Sequence, residues 1–321
     1  MWQAGRLALG VMAVAALAAC GTSSSAATSP TPTVPPTYTA YVVDQTDATL
    51  TPIPLATGVP GTPFVVGNAN KVWGIAVTKD GKTAYITGEG KIIAINLVTK
   101  TVTGSILVDA SDFGPIDIAL SKDDKTAYVV NYNGYKVTPV TLASGALGAP
   151  MTVGSGDNHP SDIVLTSDGS TAYVVVNNIN NNTKFLDIVG GLVPIDLKTG
   201  QVGAEIKLGH ETGAIAISKD GKTAYAFYAG AGDPSNPTIT VTPISLPGGS
   251  LGTPLPVGFF VNGLALSPDG KMLYMVNQFG NPKGIAPKGG MATMDLATGT
   301  VGAVTVLGSA PHSIAIGQDP H

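Results

Sequence analysis

One cysteine in 321 residues leaves no intrachain disulfide to staple the fold. Charge is sparse too: Asp, Glu, Lys and Arg make up 12% of the chain, about half the usual share for a soluble domain. The 17 basic and 21 acidic residues give a formal net charge of −4, whereas a nucleic-acid binder needs a basic face. After the N-terminus no apolar run is long enough for a spanning helix. The Lys, Glu, Leu and Ala of a helical bundle or coiled coil are missing, and Gly (41) and Pro (24) take about a fifth of the chain instead. A hydrophobic share of 44% is too high for a disordered chain. What remains is a turn-rich, all-β protein large enough to bury a core.

The N-terminus reads as an export signal. Arg6 supplies a short positive region, and residues 7–19 form an apolar stretch too short to span a bilayer. Leu17-Ala18-Ala19-Cys20 resembles a bacterial lipobox, which implies a signal peptide over 1–19, cleavage before Cys20 and a lipid on its sulfur. Residues 20–38 then read as the lipidated cysteine and a Ser/Thr/Pro-rich tether, because they carry too little apolar surface to offset ordering entropy. The expected location is outside the cytoplasm, anchored to the cell membrane.

Residues 39–321 are built from one repeat. The segment Gly74-Ile75-Ala76-Val77-Thr78-Lys79-Asp80-Gly81-Lys82-Thr83-Ala84-Tyr85-Ile86 recurs four more times, with tyrosines at 85, 128, 173, 225 and 274. Their gaps of 43, 45, 52 and 49 residues, with no helical pattern, are those of propeller blades. Each unit reads as four strands. Strand a alternates with period 2, an Asp-Gly hairpin turn follows, strand b carries the tyrosine, and strands c and d are joined by a Thr-Gly or Ser-Gly turn. Pro139, Pro194 and Pro243 lie within strand c, so they should face an unpaired side or a bulge. The C-terminus supplies a strand a (311–316) with no successor, and residues 39–67 supply strands b, c and d with no predecessor. Joined, they make a sixth blade from both termini, which closes the ring. The repeat tyrosines should be largely buried between blades.

Tyr128-Val129-Val130-Asn131 and Tyr274-Met275-Val276-Asn277, each after a Ser-x-Asp-(Gly/Asp)-Lys turn, resemble the repeat of the YVTN-repeat (YncE-like) β-propeller family. The resemblance covers nearly all of 39–316 and implies the fold more than a function. Propellers of that family commonly have seven blades. Six are counted here, with seven the alternative, and no leftover stretch is long enough for another.

Motifs with a chemical look have plainer explanations. Gly248-Gly249-Ser250-Leu251-Gly252 matches a nucleophile elbow, but it aligns with the turn Ser144-Gly145-Ala146-Leu147-Gly148 of another repeat. Asp80, Asp168, Asp220 and Asp269 sit where Asp favours turn geometry, without a calcium-loop pattern around them. No pair among His159, His210, His312 and His321 has metal-helix spacing, and no metal or cofactor is expected. Three of them precede or begin strand a, so His159, His210 and His312 could gather at one mouth of the channel.

The same placement brings Asp117 and Asp162, equivalent in neighbouring units, to the channel wall. Each is read either as an acceptor for main-chain N–H groups of an adjacent blade or as part of a ligand site. Trp73, Ser161, Asn262 and His312 stand at or beside the same repeat position, and Asn131, Asn177 and Asn277 lie in the variable loops between strands b and c. The candidate ligand site is therefore the channel mouth, formed by Trp73, Asp117, Asp162, Asn262, His312, Asn131, Asn177 and Asn277. Neutral Asn, Tyr and Gln suit sugars or peptides better than phosphates. The expected function is a surface-anchored binding or protein-interaction module, with an envelope protein, peptide or glycan as partner. The alternative, by the same resemblance, is a lactonase-like enzyme acting on a cyclic ester or sugar derivative, with no catalytic residue assigned.

Overall fold

A computed structural model describes residues 37–68, 71–109, 114–178, 189–209, 211–229, 239–277 and 289–320. The expected signal peptide, Cys20, the tether up to residue 36, His210, His321 and much of three b-to-c loops lie outside them. The unit Pro36–His321 is an all-β, six-bladed propeller of antiparallel blades, with strands and turns but no helix among the described residues. The count of six holds, and no seventh blade is present among the described residues.

In each blade, strand a is innermost. These strands touch in a ring that runs Val72–Val77, Pro115–Leu120, Asn158–Leu165, Thr212–Ile217, Gly263–Leu266, Pro311–Gln318 and back to Val72–Val77. Pro311–Gln318 pairs antiparallel with Tyr38–Asp44, Ile314 opposite Val42 and Ala315 opposite Tyr41. This is the composite blade. Its seam is reinforced where Asp44 Oδ2 accepts from Ala310 N (2.9 Å) and Thr39 Oγ1 donates to Asp319 Oδ1 (2.6 Å).

Proline in strand c has the expected consequence. Over Pro139, Pro194 and Pro243 strand d is interrupted, so that Lys136–Thr141 pairs separately with Ala146–Leu147 and Met151–Thr152. A glycine N–H reaches each proline carbonyl at the break: Gly148, Gly203 and Gly252, at 2.7, 2.8 and 2.7 Å. Where Ala94 occupies the position, strand d is continuous over Thr101–Leu107 and only bulged. Thr293 shows the same break with Gly302 opposite, so the glycine in strand d shapes the outer edge as much as the proline does.

The Asp-Gly turns are self-contained. Thr78 Oγ1 donates to Asp80 Oδ1 at 2.6 Å, which also accepts Lys82 N at 3.0 Å, and Asp168, Asp220 and Asp269 repeat the pattern. At the equivalent of the turn glycine, Asp124 takes φ = 56°, and its carboxylate accepts Lys79 N of the neighbouring blade at 2.9 Å. Gly248–Gly252 is likewise the turn from Ile239–Ser245 into Ser250–Leu251, with no helix for Ser250 to open.

The tyrosine expectation needs correction. Tyr41 and Tyr173 are buried, at 6% and 5% exposure, but Tyr85, Tyr128, Tyr225 and Tyr274 are only half-buried. Their rings join the apolar layers between blades; Tyr85, for example, packs beside Ile92, Ile118 and Val129. Partial burial raises these phenols above their usual value, and the negative turn aspartates Asp80, Asp123, Asp220 and Asp269 add to the rise.

Because both termini share one blade, deleting residues 311–321 leaves the inner edge of Tyr38–Asp44 unpaired. The expected result is a melting temperature lower by roughly 10 °C or more, with loss of a single cooperative transition. Calorimetry showing an unchanged transition would remove the seam from the account of stability.

Candidate functional site

The six inner strands bring one residue per blade to each level of the channel. At one level stand Trp73, Ile116, Ser161, Gly213, Asn262 and His312; at the next, Gly74, Asp117, Asp162, Ala214, Gly263 and Ser313. The channel is a cavity of about 270 Å³ whose wall includes Asp117, Asp162, Asn262, His312 and Ser313. It opens into a larger mouth of about 650 Å³, lined by Trp73, Tyr132, Asp162, Asn177, Glu211, Phe227, Phe260, Asn262 and His312, among others. Five of the eight expected residues thus meet at the mouth, and Asp117 lies just below it.

Asn131 and Asn277 line neither cavity. Both close the end of strand b and are buried, at 0% and 7% exposure. Asn131 Nδ2 donates to Thr138 Oγ1 at 3.0 Å, while the Oδ1 atoms of both asparagines have no hydrogen-bond partner. In the blade of Asn177, strand b (Thr171–Asn178) is two residues longer than Thr126–Asn131 and Met272–Asn277, and this carries Asn177 toward the mouth. There Asn177 bridges blades: Nδ2 donates to Thr212 O at 2.7 Å and Oδ1 accepts Thr212 N at 3.0 Å. His159 leaves the mouth as well, stacked on Tyr132 at 4.4 Å between ring centres.

The two aspartates do what the plainer reading expects. Asp117 Oδ2 accepts Ile163 N at 2.9 Å and Asp162 Oδ2 accepts Ile215 N at 3.0 Å, each reaching the inner strand of the next blade. Burial raises both carboxyls above the usual range, and the negative neighbour raises Asp162 further. Gly74 makes room for the pair, since a Cβ there would collide with Asp117 Oδ1.

Two further groups define the mouth. His312 stands edge-on to Trp73, at 5.3 Å between centres and 83° between planes. Burial holds its imidazole down at about 4, against a hydrogen bond to the Trp73 main chain that favours protonation, so it is neutral at physiological pH. Its Nδ1 is buried without a partner. Glu211 was not among the candidates. Burial pushes its carboxyl up to about 7, and its Oε2 is also buried and unpartnered. Glu211 stands one residue before strand a of its blade and Phe260 three before, at a level that the repeat pattern holds in register with Lys71, Gly114, His159 and Ala310. Glutamate is also rare in this chain, present at only 89, 205 and 211. That rarity was the signal available.

No protein-family model matches the chain, and no curated protein matches it. Solved structures resemble it in fold. A chain of Kuenenia stuttgartiensis hydrazine synthase is 18% identical with TM-score 0.63, covering 86% of this chain and 85% of that one. TolB from Acinetobacter baumannii is 19% identical with TM-score 0.61, over 89% and 67%. A chain of a nidogen/laminin complex is 15% identical with TM-score 0.65, over 87% and 98%. The neighbours are β-propeller proteins of different functions, so the likeness carries the architecture and not an activity.

The raised Glu211 carboxyl sets a pH dependence. Below its ordinary value of 4.5 the folded and unfolded states are both protonated and burial costs nothing; as pH rises through about 7 the folded state must ionise a half-buried group. Glu211→Gln should therefore melt about 2–4 °C above the parent protein at pH 8, with the gap closing below pH 5. An equal gap at both pH values would show that Glu211 is not the group responsible.

Proposed function

We propose that this protein is a binding module of the cell envelope, a YVTN-repeat (YncE-like) propeller lipoprotein anchored through Cys20, with its ligand or partner site at the channel mouth. The observation that carries this reading is the contrast between the two ends of the ring. The mouth end opens into a cavity of about 650 Å³, within the range of small-ligand sites, with aromatic walls and a few polar groups. The other end is made of turns whose aspartates are consumed by their own hydroxyl and amide donors.

A binding role is favoured over a lactonase-like one because Asp117 and Asp162 each spend an oxygen on the main chain of the next blade. Carboxylates held this way brace the ring. That one propeller neighbour was solved in a complex between nidogen and laminin is consistent with a recognition role for such a ring. The lipobox resemblance supports the anchor.

The face assignment is tested by screening sugars, peptides and small amphiphiles by native mass spectrometry. For any ligand found, Tyr132→Ala and Phe260→Ala should weaken binding at least about tenfold, close to 1.4 kcal/mol. Lys82→Glu and Lys222→Glu, at the opposite turns, should leave it unchanged. The reverse pattern would move the site to the other face.

The anchor is tested separately. Metabolic palmitate labelling should mark the protein and disappear in Cys20→Ser. A mature protein in the aqueous phase of a detergent extraction, with no lipid mass, would overturn the anchor alone.

A further inference from the structure

We propose that the mouth recognises a primary ammonium group carried on an apolar, preferably aromatic, body. The inference rests on the mouth being the binding site and adds the chemical class of what it binds.

Three independent features of the cavity converge on this chemistry. The first is the pair of buried polar atoms without partners, Glu211 Oε2 and His312 Nδ1. A neutral His312 that donates its one ring N–H to the Trp73 main chain presents Nδ1 as a lone pair. Both orphans are then acceptors, and both belong to the mouth lining. A buried acceptor with no donor carries an uncompensated desolvation penalty, so the cavity is suited to receive donors. An ammonium offers three.

The second feature is charge. The mouth holds two carboxyl-bearing residues, Glu211 and Asp162, and neither Lys nor Arg is in its lining. An anionic ligand would meet the Glu211 carboxylate with no cationic side chain in the lining to offset it. A neutral polyol could donate to both orphans but would leave the Glu211 charge uncompensated on ionisation. A cation removes that cost.

The third feature is the wall. Trp73, Tyr132, Phe227 and Phe260 supply aromatic surface, with Phe227 and Phe260 tilted 59° to each other at 6.1 Å. Ring faces attract cations and also bury an apolar body. A bare metal ion fits this set poorly: among the described residues no group of three His, Cys, Asp or Glu side chains is placed to hold one.

The ammonium could belong to a free small amine or to the N-terminus of a peptide, and one experiment separates the two. Binding to the purified full-length protein is measured by titration calorimetry at pH 8 for 2-phenylethylammonium, 2-phenylethanol and 3-phenylpropanoate. The peptide arm uses Phe-Gly-Gly amide with a free or an acetylated N-terminus. The ammonium should bind at least tenfold more tightly than the alcohol, and the carboxylate should not bind. Glu211→Gln should cost the ammonium at least tenfold while leaving the alcohol within about twofold, a split that general unfolding would not produce.

Preference for the free-N-terminus peptide over 2-phenylethylammonium would assign a peptide source, and the opposite order a small amine. The proposal is overturned if the alcohol or carboxylate binds as tightly as the ammonium, if Glu211→Gln leaves ammonium affinity unchanged, or if no ammonium probe binds at 10 mM. If a neutral or anionic probe binds and Phe260→Ala weakens it, the mouth site survives and only the cation chemistry falls. If an ammonium binds but neither Phe260→Ala nor Tyr132→Ala affects it, the site itself is misplaced.

Discussion

The inner edge of strand a is the constraint around which this ring is arranged. An edge strand presents main-chain N–H and C=O groups that need partners, and in a propeller six such edges face one narrow channel. Asp117 and Asp162 answer this by accepting Ile163 N and Ile215 N across blade boundaries. Asn177 does the same work one level higher, on Thr212, and Asp44 does it at the seam, on Ala310. The first three residues tie three consecutive blades together through the main chain, and Asp44 ties the two ends of the composite blade, while apolar layers such as Val130, Met151, Ile163 and Val174 fill the space between blades. The composite blade extends the same logic to the chain ends.

This use of polar side chains explains why the two faces differ chemically. At the Asp-Gly turns each carboxylate is surrounded by donors from its own turn, and the Thr166 and Ser170 hydrogen bonds pull Asp168 down to about 2. Such groups are satisfied and fully ionised, and their geometry recurs from blade to blade. At the mouth the opposite holds. Glu211 and His312 are displaced from their ordinary values by burial, in opposite directions, and each retains an unpartnered atom. Of the four buried side-chain atoms without a partner among the described residues, these two face the mouth, whereas Asn131 Oδ1 and Asn277 Oδ1 line neither cavity.

The architecture was legible because it is written in repeats. The tyrosine spacing, the Asp-Gly turns and the unmatched half-blades at the two ends each imply the same ring, and the pairing of Ile314 with Val42 follows from them. The dual reading of Asp117 and Asp162 was also within reach, since equivalent positions in neighbouring blades must face each other. What the repeat could not convey was depth. Asn131 and Asn277 share a repeat position with Asp44, and all three are drawn into the blade by pairing at the end of strand b. The tyrosines were placed between blades correctly, but how far each is buried varies from blade to blade. Glu211 escaped notice because it precedes strand a, where alternation no longer marks which way a side chain points.

A symmetric ring yields an asymmetric site because each blade fills its corner of a level independently. At the level of Trp73 and His312 the other corners are Ile116, Ser161, Gly213 and Asn262, so bulk is concentrated on one side. Gly213 supplies the space opposite. Its missing side chain lets Phe227 come within 2.6 Å of where a Cβ would stand, and that ring, with Phe260, forms the apolar wall near Glu211. The cavity is therefore roomy where two neighbouring blades contribute a glycine and aromatic rings, and closed where Trp73 packs on His312. The backbone requirements of the inner strands hold all six corners in place. The identity of the residue at each corner is left free, and this freedom lets one repeat build both a rigid ring and a specific pocket.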